Sequence, residues 1–195
     1  MLLSRRGISR AKMEEAIVAG DTEIDAHIRA LAAAAFPLYI DTVPRNTALS
    51  TAAWGTANRA VLMKTRAKRP DLVLSHASVL IGALGTSPNM DTGLYALDGT
   101  RLTSHGGGPP GGTAERTQAY SAAYEPEFGE EFYIALACSA TDTSFHRASS
   151  SNAASTLRDH IAIIVESAYP LPATLDLSGA LVGSLIIPSV RVGVI

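Results

Sequence analysis

Pro37 divides the chain into two stretches whose apolar residues repeat with different periods, and this contrast limits the fold more than any single motif does. From Ser9 to Ala35 there is no proline, Ala, Glu, Arg and Lys dominate, and Ile17, Ile24 and Leu31 fall seven residues apart with Ile28 on the same side. At about 100° per residue those four share one face, so the spacing predicts an α-helix with a narrow apolar stripe. Gly20-Asp21-Thr22 is a point where that helix could divide, because Gly weakens a helix interior by about 1 kcal/mol relative to Ala and Asp21 or Thr22 can cap a second segment. Two heptads leave three uses of the stripe open: packing on its own domain, a short coiled coil, or docking on another protein. Ile17, Ile24, Ile28 and Leu31 are therefore the candidate anchor contacts.

Beyond Pro37, short β-rich runs alternate with clusters of Gly, Pro, Asn, Asp and Ser, the pattern of an antiparallel sandwich or barrel. The expected strands are Leu38–Val43, Arg59–Thr65, Leu72–Leu84 with a bend, Thr92–Leu97, Arg101–Ser104, Thr117–Ala122, Glu131–Ser139, Ser144–Ala148, Ile161–Ser167 and Leu185–Val194. Between Gly93 and Thr103, Asp98-Gly99 separates two alternating segments, which predicts a hairpin closed by a type I′ turn with both residues at positive φ. The following Ser104-His-Gly-Gly-Gly-Pro-Pro-Gly-Gly-Thr113 cannot build a core and is expected to be an exposed, mobile loop. No repeat of 20–50 residues is visible, which argues against solenoids and propellers. The organisation read from these features is an N-terminal helical segment, 1–36, and a mainly β domain, an antiparallel β-sandwich, over 37–195.

Composition narrows what such a chain can do. Of 195 residues only 17% are charged, against a usual share of about 25%, so some apolar surface is expected to meet another chain. Sixteen Lys and Arg against eighteen Asp and Glu leave a net charge of −2, which gives no general attraction to nucleic acid or to an anionic membrane. Met1-Leu-Leu-Ser-Arg-Arg-Gly7 lacks the apolar core of a secretory signal, and Gly179–Ile195, broken by Pro188 and Arg191, is too short to span a bilayer. Cys138 is the only cysteine, cannot form an internal disulfide, and reads as filler in a buried strand.

The motifs of catalysis are mostly missing. There is no G-x-S-x-G turn, and a triad of Ser144 or Ser149 with His146 and Asp142 is disfavoured because neighbours on a strand point to opposite faces. Metal-ligand spacings do not occur, Asp142 with His146 being the nearest approach, and no cofactor is expected. Gly106–Gly112 lacks the Lys-Ser/Thr of a phosphate loop. In the acidic cluster Glu125–Glu131, Glu127 and Glu131 could serve a small depolymerase, although a solvated turn is the simpler account. The basic run Lys64–Arg69 reads as a solvated turn, with a rim contact to an acidic partner surface or to a polyanionic surface polymer as its functional alternative. Trp54, Tyr95 and Tyr124 are the candidate glycan contacts of a carbohydrate-binding module, set against a half-buried Trp54 that covers one end of the sandwich.

Five segments in order, Ala53-Trp-Gly-Thr-Ala-Asn-Arg-Ala-Val61, Asp91-Thr-Gly-Leu-Tyr-Ala-Leu-Asp-Gly-Thr-Arg-Leu102, Glu131-Phe-Tyr-Ile-Ala-Leu-Ala137, Phe145-His-Arg-Ala148 and Tyr169-Pro-Leu-Pro-Ala-Thr174, resemble the β-sandwich domains at the ends of many bacteriophage tail fibres and minor tail proteins. The resemblance runs from about Leu38 to Ile195 and rests on the order of the segments rather than on any one of them. It implies a jelly-roll-like sandwich in a virion component assembled in the host cytoplasm: a fibre, spike or capsid decoration. Such a component would be a homo-oligomer, commonly a homotrimer, able to touch host cell-surface polysaccharide and without catalytic residues. The helix ahead of the sandwich is then expected to be a plug that docks on another virion protein.

Overall fold

The computed structural model describes residues 10–35, 37–43, 49–148, 162–178, 181–182 and 187–194. Among the described residues one helix, α1 (Arg10–Ala35), precedes twelve strands: β1 (Tyr39–Asp41), β2 (Leu49–Ala53), β3 (Arg59–Arg66), β4 (Leu74–Ala83), β5 (Met90–Tyr95), β6 (Arg101–Ser104), β7 (Ala114–Tyr124), β8 (Glu131–Cys138), β9 (Ser144–Ala148), β10 (Ala162–Val165), β11 (Leu181–Val182) and β12 (Val190–Gly193). Much of this architecture follows from one long antiparallel hairpin rolled on itself. Its apex is β5 with β6, and moving outward β4 pairs β7, β3 pairs β8 and β2 pairs β9, all antiparallel.

Rolling sends alternate rungs to opposite sheets. One sheet contains β2, β9, β4 and β7, and the other β3, β8, β5 and β6, which is the jelly-roll arrangement. The first is extended by β12 and β1, the second by β10 and β11. Because β7 runs along one edge of β4, β12 and β9 must share the other. They do so in succession, β12 against His76–Val79 and β9 against Ile81 and Ala83, with a register shift between the last two. That shift is the bend expected within Leu72–Leu84.

Two apolar cores result. The larger fills the space between the sheets and includes Trp54, Val61, Met63, Leu94, Phe132 and Phe145. The smaller lies on the outer face of the second sheet, where Leu171 and Leu175 from the segment after β10 cover Leu62, Tyr95 and Ala137. Strands buried on both faces read as unbroken apolar runs, which explains why Phe132–Cys138 shows no polar alternation.

The sequence expectations need four corrections. β2 and β11 were missing from them: Leu49-Ser-Thr-Ala-Ala53 has little β-propensity of its own and takes its strand form from the pairing with β9, and β11 has two residues. The hairpin between β5 and β6 forms, but its turn is not type I′. Only Gly99, at φ 88°, has positive φ; Gly99 N–H donates to Ala96 O at 3.1 Å and Ala96 N–H to Thr100 O at 2.8 Å. This is a three-residue loop with glycine in the left-handed position, and a Cβ at Gly99 would fall 2.2 Å from the Leu175 carbonyl oxygen. The Gly-rich loop is tied down rather than free: Met90 and Gly108 exchange two backbone hydrogen bonds and Pro110 is buried. Finally, α1 is continuous through Gly20-Asp21-Thr22, where the Thr22 hydroxyl donates to the Val18 carbonyl one turn back and stays within the helix. Met1–Ser9, Leu185, Ile186 and the Ser149, His160 and Ile161 positions lie outside the described residues.

Candidate interaction surface

The side chains that the sequence assigned to the anchor stand bare on α1. Ile24 is 60% exposed, Ile28 47% and Leu31 58%, while the side chain of Ile17 lies outside the described residues. No described side chain of α1 belongs to either core. The helix meets the sandwich where the Arg29 guanidinium, also paired with Asp25 at 2.7 Å, lies 5.8 Å from the centre of the Phe128 ring. Three large aliphatic residues left in water on one face are the kind of surface that another protein covers.

What joins this helix to the sandwich is built more firmly than a three-residue strand would suggest. Leu38 follows Pro37 directly, and β1 then pairs with β12. Arg191 on β12 grips Asp41 on β1 through two parallel bonds of 2.8 Å, and its guanidinium lies 3.8 Å from the centre of the Tyr39 ring. One residue further on, the buried Thr42 hydroxyl donates to Pro188 O at 2.6 Å and accepts from Val190 N–H at 2.9 Å. Bidentate arginine–carboxylate pairs are among the stronger ionic contacts, and ring stacking adds to this one. Replacing Arg191 with Ala is therefore expected to cost about 1 kcal/mol and to raise amide exchange selectively at Tyr39–Asp41. Equal exchange in both proteins would show that the clamp contributes nothing to holding β1.

The proposed glycan platform is not assembled. Trp54 is 2% exposed; its ring meets Phe145 edge to face at 5.1 Å and its Nε1–H donates to Arg59 O. Tyr95 is fully buried, in the other core, and its hydroxyl donates to Pro172 O at 2.6 Å. Tyr124 is half-buried, stacks edge to face on Phe132 at 6.1 Å and gives its hydroxyl proton to Glu130. A sugar needs an open ring face, and in this chain Trp54 and Tyr95 offer none. Periodicity could mark them as strand or turn residues but could not say which way each ring turned.

Most of the charged candidates are likewise engaged within the chain. Glu131 bonds Lys64 Nζ at 2.8 Å and Arg66 at 2.9 Å across the β3–β8 pair, and these cations hold its carboxyl below the usual range. A carboxyl so lowered is a poor general acid, which counts against the depolymerase reading. Arg69 is paired with Asp71, so much of the Lys64–Arg69 run is neutralised locally. Asp142 accepts Thr86 N–H at 2.9 Å, which holds its carboxyl low and turns it to the β4–β5 loop. Among the described residues no three His, Cys, Asp or Glu are grouped to hold a metal ion, and no helix is long and apolar enough to cross a membrane.

One group that the sequence reading passed over is Asp91, on the fully buried strand β5. Its Oδ1 accepts Gly106 N–H and its Oδ2 accepts Leu171 N–H, both at 3.0 Å, so one carboxylate ties the Gly-rich loop and the covering segment to the same strand. Burial pushes its carboxyl up from the ordinary value, against those two bonds. The signal was present as an acid inside the run Met90–Tyr95, whose other side chains are apolar or small. No protein-family model matches the chain, and none of the curated proteins matches it.

Proposed function

We propose that this chain is a non-enzymatic structural component of a bacteriophage particle, a fibre, spike or decoration subunit that works through its contacts with copies of itself and with other particle proteins. The observation that carries this reading is the bare apolar stripe of α1, in the chain ahead of a first strand that the Arg191–Asp41 clamp fixes to the sheet. The resemblance of the motif order to phage tail-fibre domains supplies the particle context, and the jelly roll is compatible with it. Jelly rolls also serve lectins and cupins, so the fold alone carries no function. In this reading α1 is the attachment element, the sandwiches pack with one another, threefold in the pattern of the fibres it resembles, and the loops at one end of the sandwich face the host surface.

The reading predicts a separation of roles. Because no described α1 side chain is in either core, a chain starting at residue 37 should fold with an unchanged urea midpoint yet fail to enter particles. Particles that incorporate the shortened chain at the normal level would refute the role given to α1.

A further inference from the structure

We infer that α1 pairs with α1 of a second copy of this chain, antiparallel, through the face of Ile24, Ile28 and Leu31; this names a partner for the contact element of the previous section and rests on that reading. The apolar residues alone permit either direction, and the charges beside them decide it. Taking Ile24 as origin and about 100° per residue, Ile28 and Leu31 lie within roughly 40° of it; Gly20, Glu23 and His27 line one flank, and Asp21 and Asp25 the other, with Arg29 further round. A shallow open groove on the helix is lined by Glu23, Ile24, His27 and Ile28.

Two helices that meet face to face in parallel bring one flank against the opposite flank at the same level. Glu23 would then sit beside Asp21 and Asp25 of the other copy, acid against acid, in both halves of the pair. Turning one helix round brings each flank against itself in reverse order. About a centre near residues 25 and 26, Glu23 then faces His27 of the second copy, and His27 faces its Glu23. An imidazole N–H donates to a carboxylate whether or not the ring is charged, so this contact is favourable twice over. Ile24 lies beside Ile28, and Leu31 lies over Gly20, where there is no side chain and nothing within 4 Å of a Cβ position. On the other flank Asp25 meets its own counterpart, but each is already paired with Arg29 at 2.7 Å, and Asp21 lies towards that same Arg29 of the second copy. A face whose charges and sizes become complementary through a two-fold axis is self-recognising. Such a contact links subunits of neighbouring threefold clusters rather than subunits within one.

Sedimentation equilibrium of the full chain over a dilution series tests this. An association step is expected that Ile24→Glu with Ile28→Glu abolishes. Glu23→Arg alone and His27→Glu alone should each weaken it about fivefold, and the two together should restore it to within about twofold, because the swap exchanges the partners across the axis. Strengthening by Glu23→Arg alone would mean parallel helices and overturn the proposal, as would an association that ignores the Ile24 and Ile28 changes. A full chain that stays monomeric at every concentration also overturns it; if particle entry still needs residues 1–36 in that case, α1 docks on a different protein and the proposed function stands without this inference.

Discussion

Trp54→Ala is expected to remove about 4 kcal/mol of folding free energy, a large share of the roughly 5–15 kcal/mol that a domain of this size possesses. The indole is 2% exposed at the junction of β2 and β3 and fills the inter-sheet core against Phe145. Its Nε1–H satisfies Arg59 O, and its own backbone N–H donates to Thr143 O at 2.8 Å, so the backbone around it is fixed and cannot easily close over the cavity. Trp54→Phe should recover much of the loss, because the ring contact survives and one hydrogen bond is given up. Urea unfolding followed by tyrosine fluorescence or far-UV circular dichroism measures both. An Ala variant with an unchanged midpoint would mean that the ring contributes little to the core, and the glycan reading of Trp54 would have to be reopened.

Asp91→Ala is expected to cost about 2 kcal/mol. It leaves the buried Leu171 N–H without an acceptor, at about 1–3 kcal/mol, and frees the more exposed Gly106 N–H at a smaller cost, less the relief of no longer burying a charge. Asp91→Asn keeps one acceptor and should cost about half as much. The pH dependence separates the two contributions. Since burial raises the carboxyl above its unfolded value, the folded chain binds that proton more tightly than the unfolded one does. Stability from this group is thus fully present below about pH 4 and is lost as pH rises through the folded value. The advantage of the parent over Asp91→Asn should accordingly be greatest in acid and shrink towards neutrality. A gap that widens with rising pH would mean that the carboxylate is favoured in the fold as an ion, contrary to the burial argument.

These two sites also mark where the sequence ran out. The strands of the rolled hairpin other than β2 were legible because each apolar run is bounded by turn formers, and Asp98-Gly99 marked the apex, since a positive-φ glycine between alternating segments has few other uses. Which rings faced inward was not legible, because Trp54 and Tyr95 are placed by cross-strand partners far away in the chain. The second core was hidden too: Tyr169–Leu177 has no period, and its apolar residues become a layer only when the sheet beneath supplies Leu62 and Tyr95. The Gly-rich loop was misjudged for the same reason, as its anchors are Met90 and the Asp91 carboxylate rather than anything within it. By contrast, the helix stripe depended on local spacing alone, and Ile24, Ile28 and Leu31 do share an exposed face.

That stripe is the point from which the functional reading grows. Under the proposed function, a sandwich whose cores close without α1, joined to α1 by a short clamped strand, would divide the work: one part keeps its shape and the other makes contacts. The clamp matters because force or torque applied to a docked helix would pass through β1 into β12 and β4, which lie within the first sheet.

Light scattering on the full chain and on a chain beginning at residue 37 tests the central structural claim, self-association through α1, most directly. Assembly through α1 predicts a mass above 20.4 kDa for the full chain, falling when the first 36 residues are removed while the circular dichroism of the sandwich is retained. A full chain at the monomer mass of 20.4 kDa, with no change in association state on truncation, would contradict it.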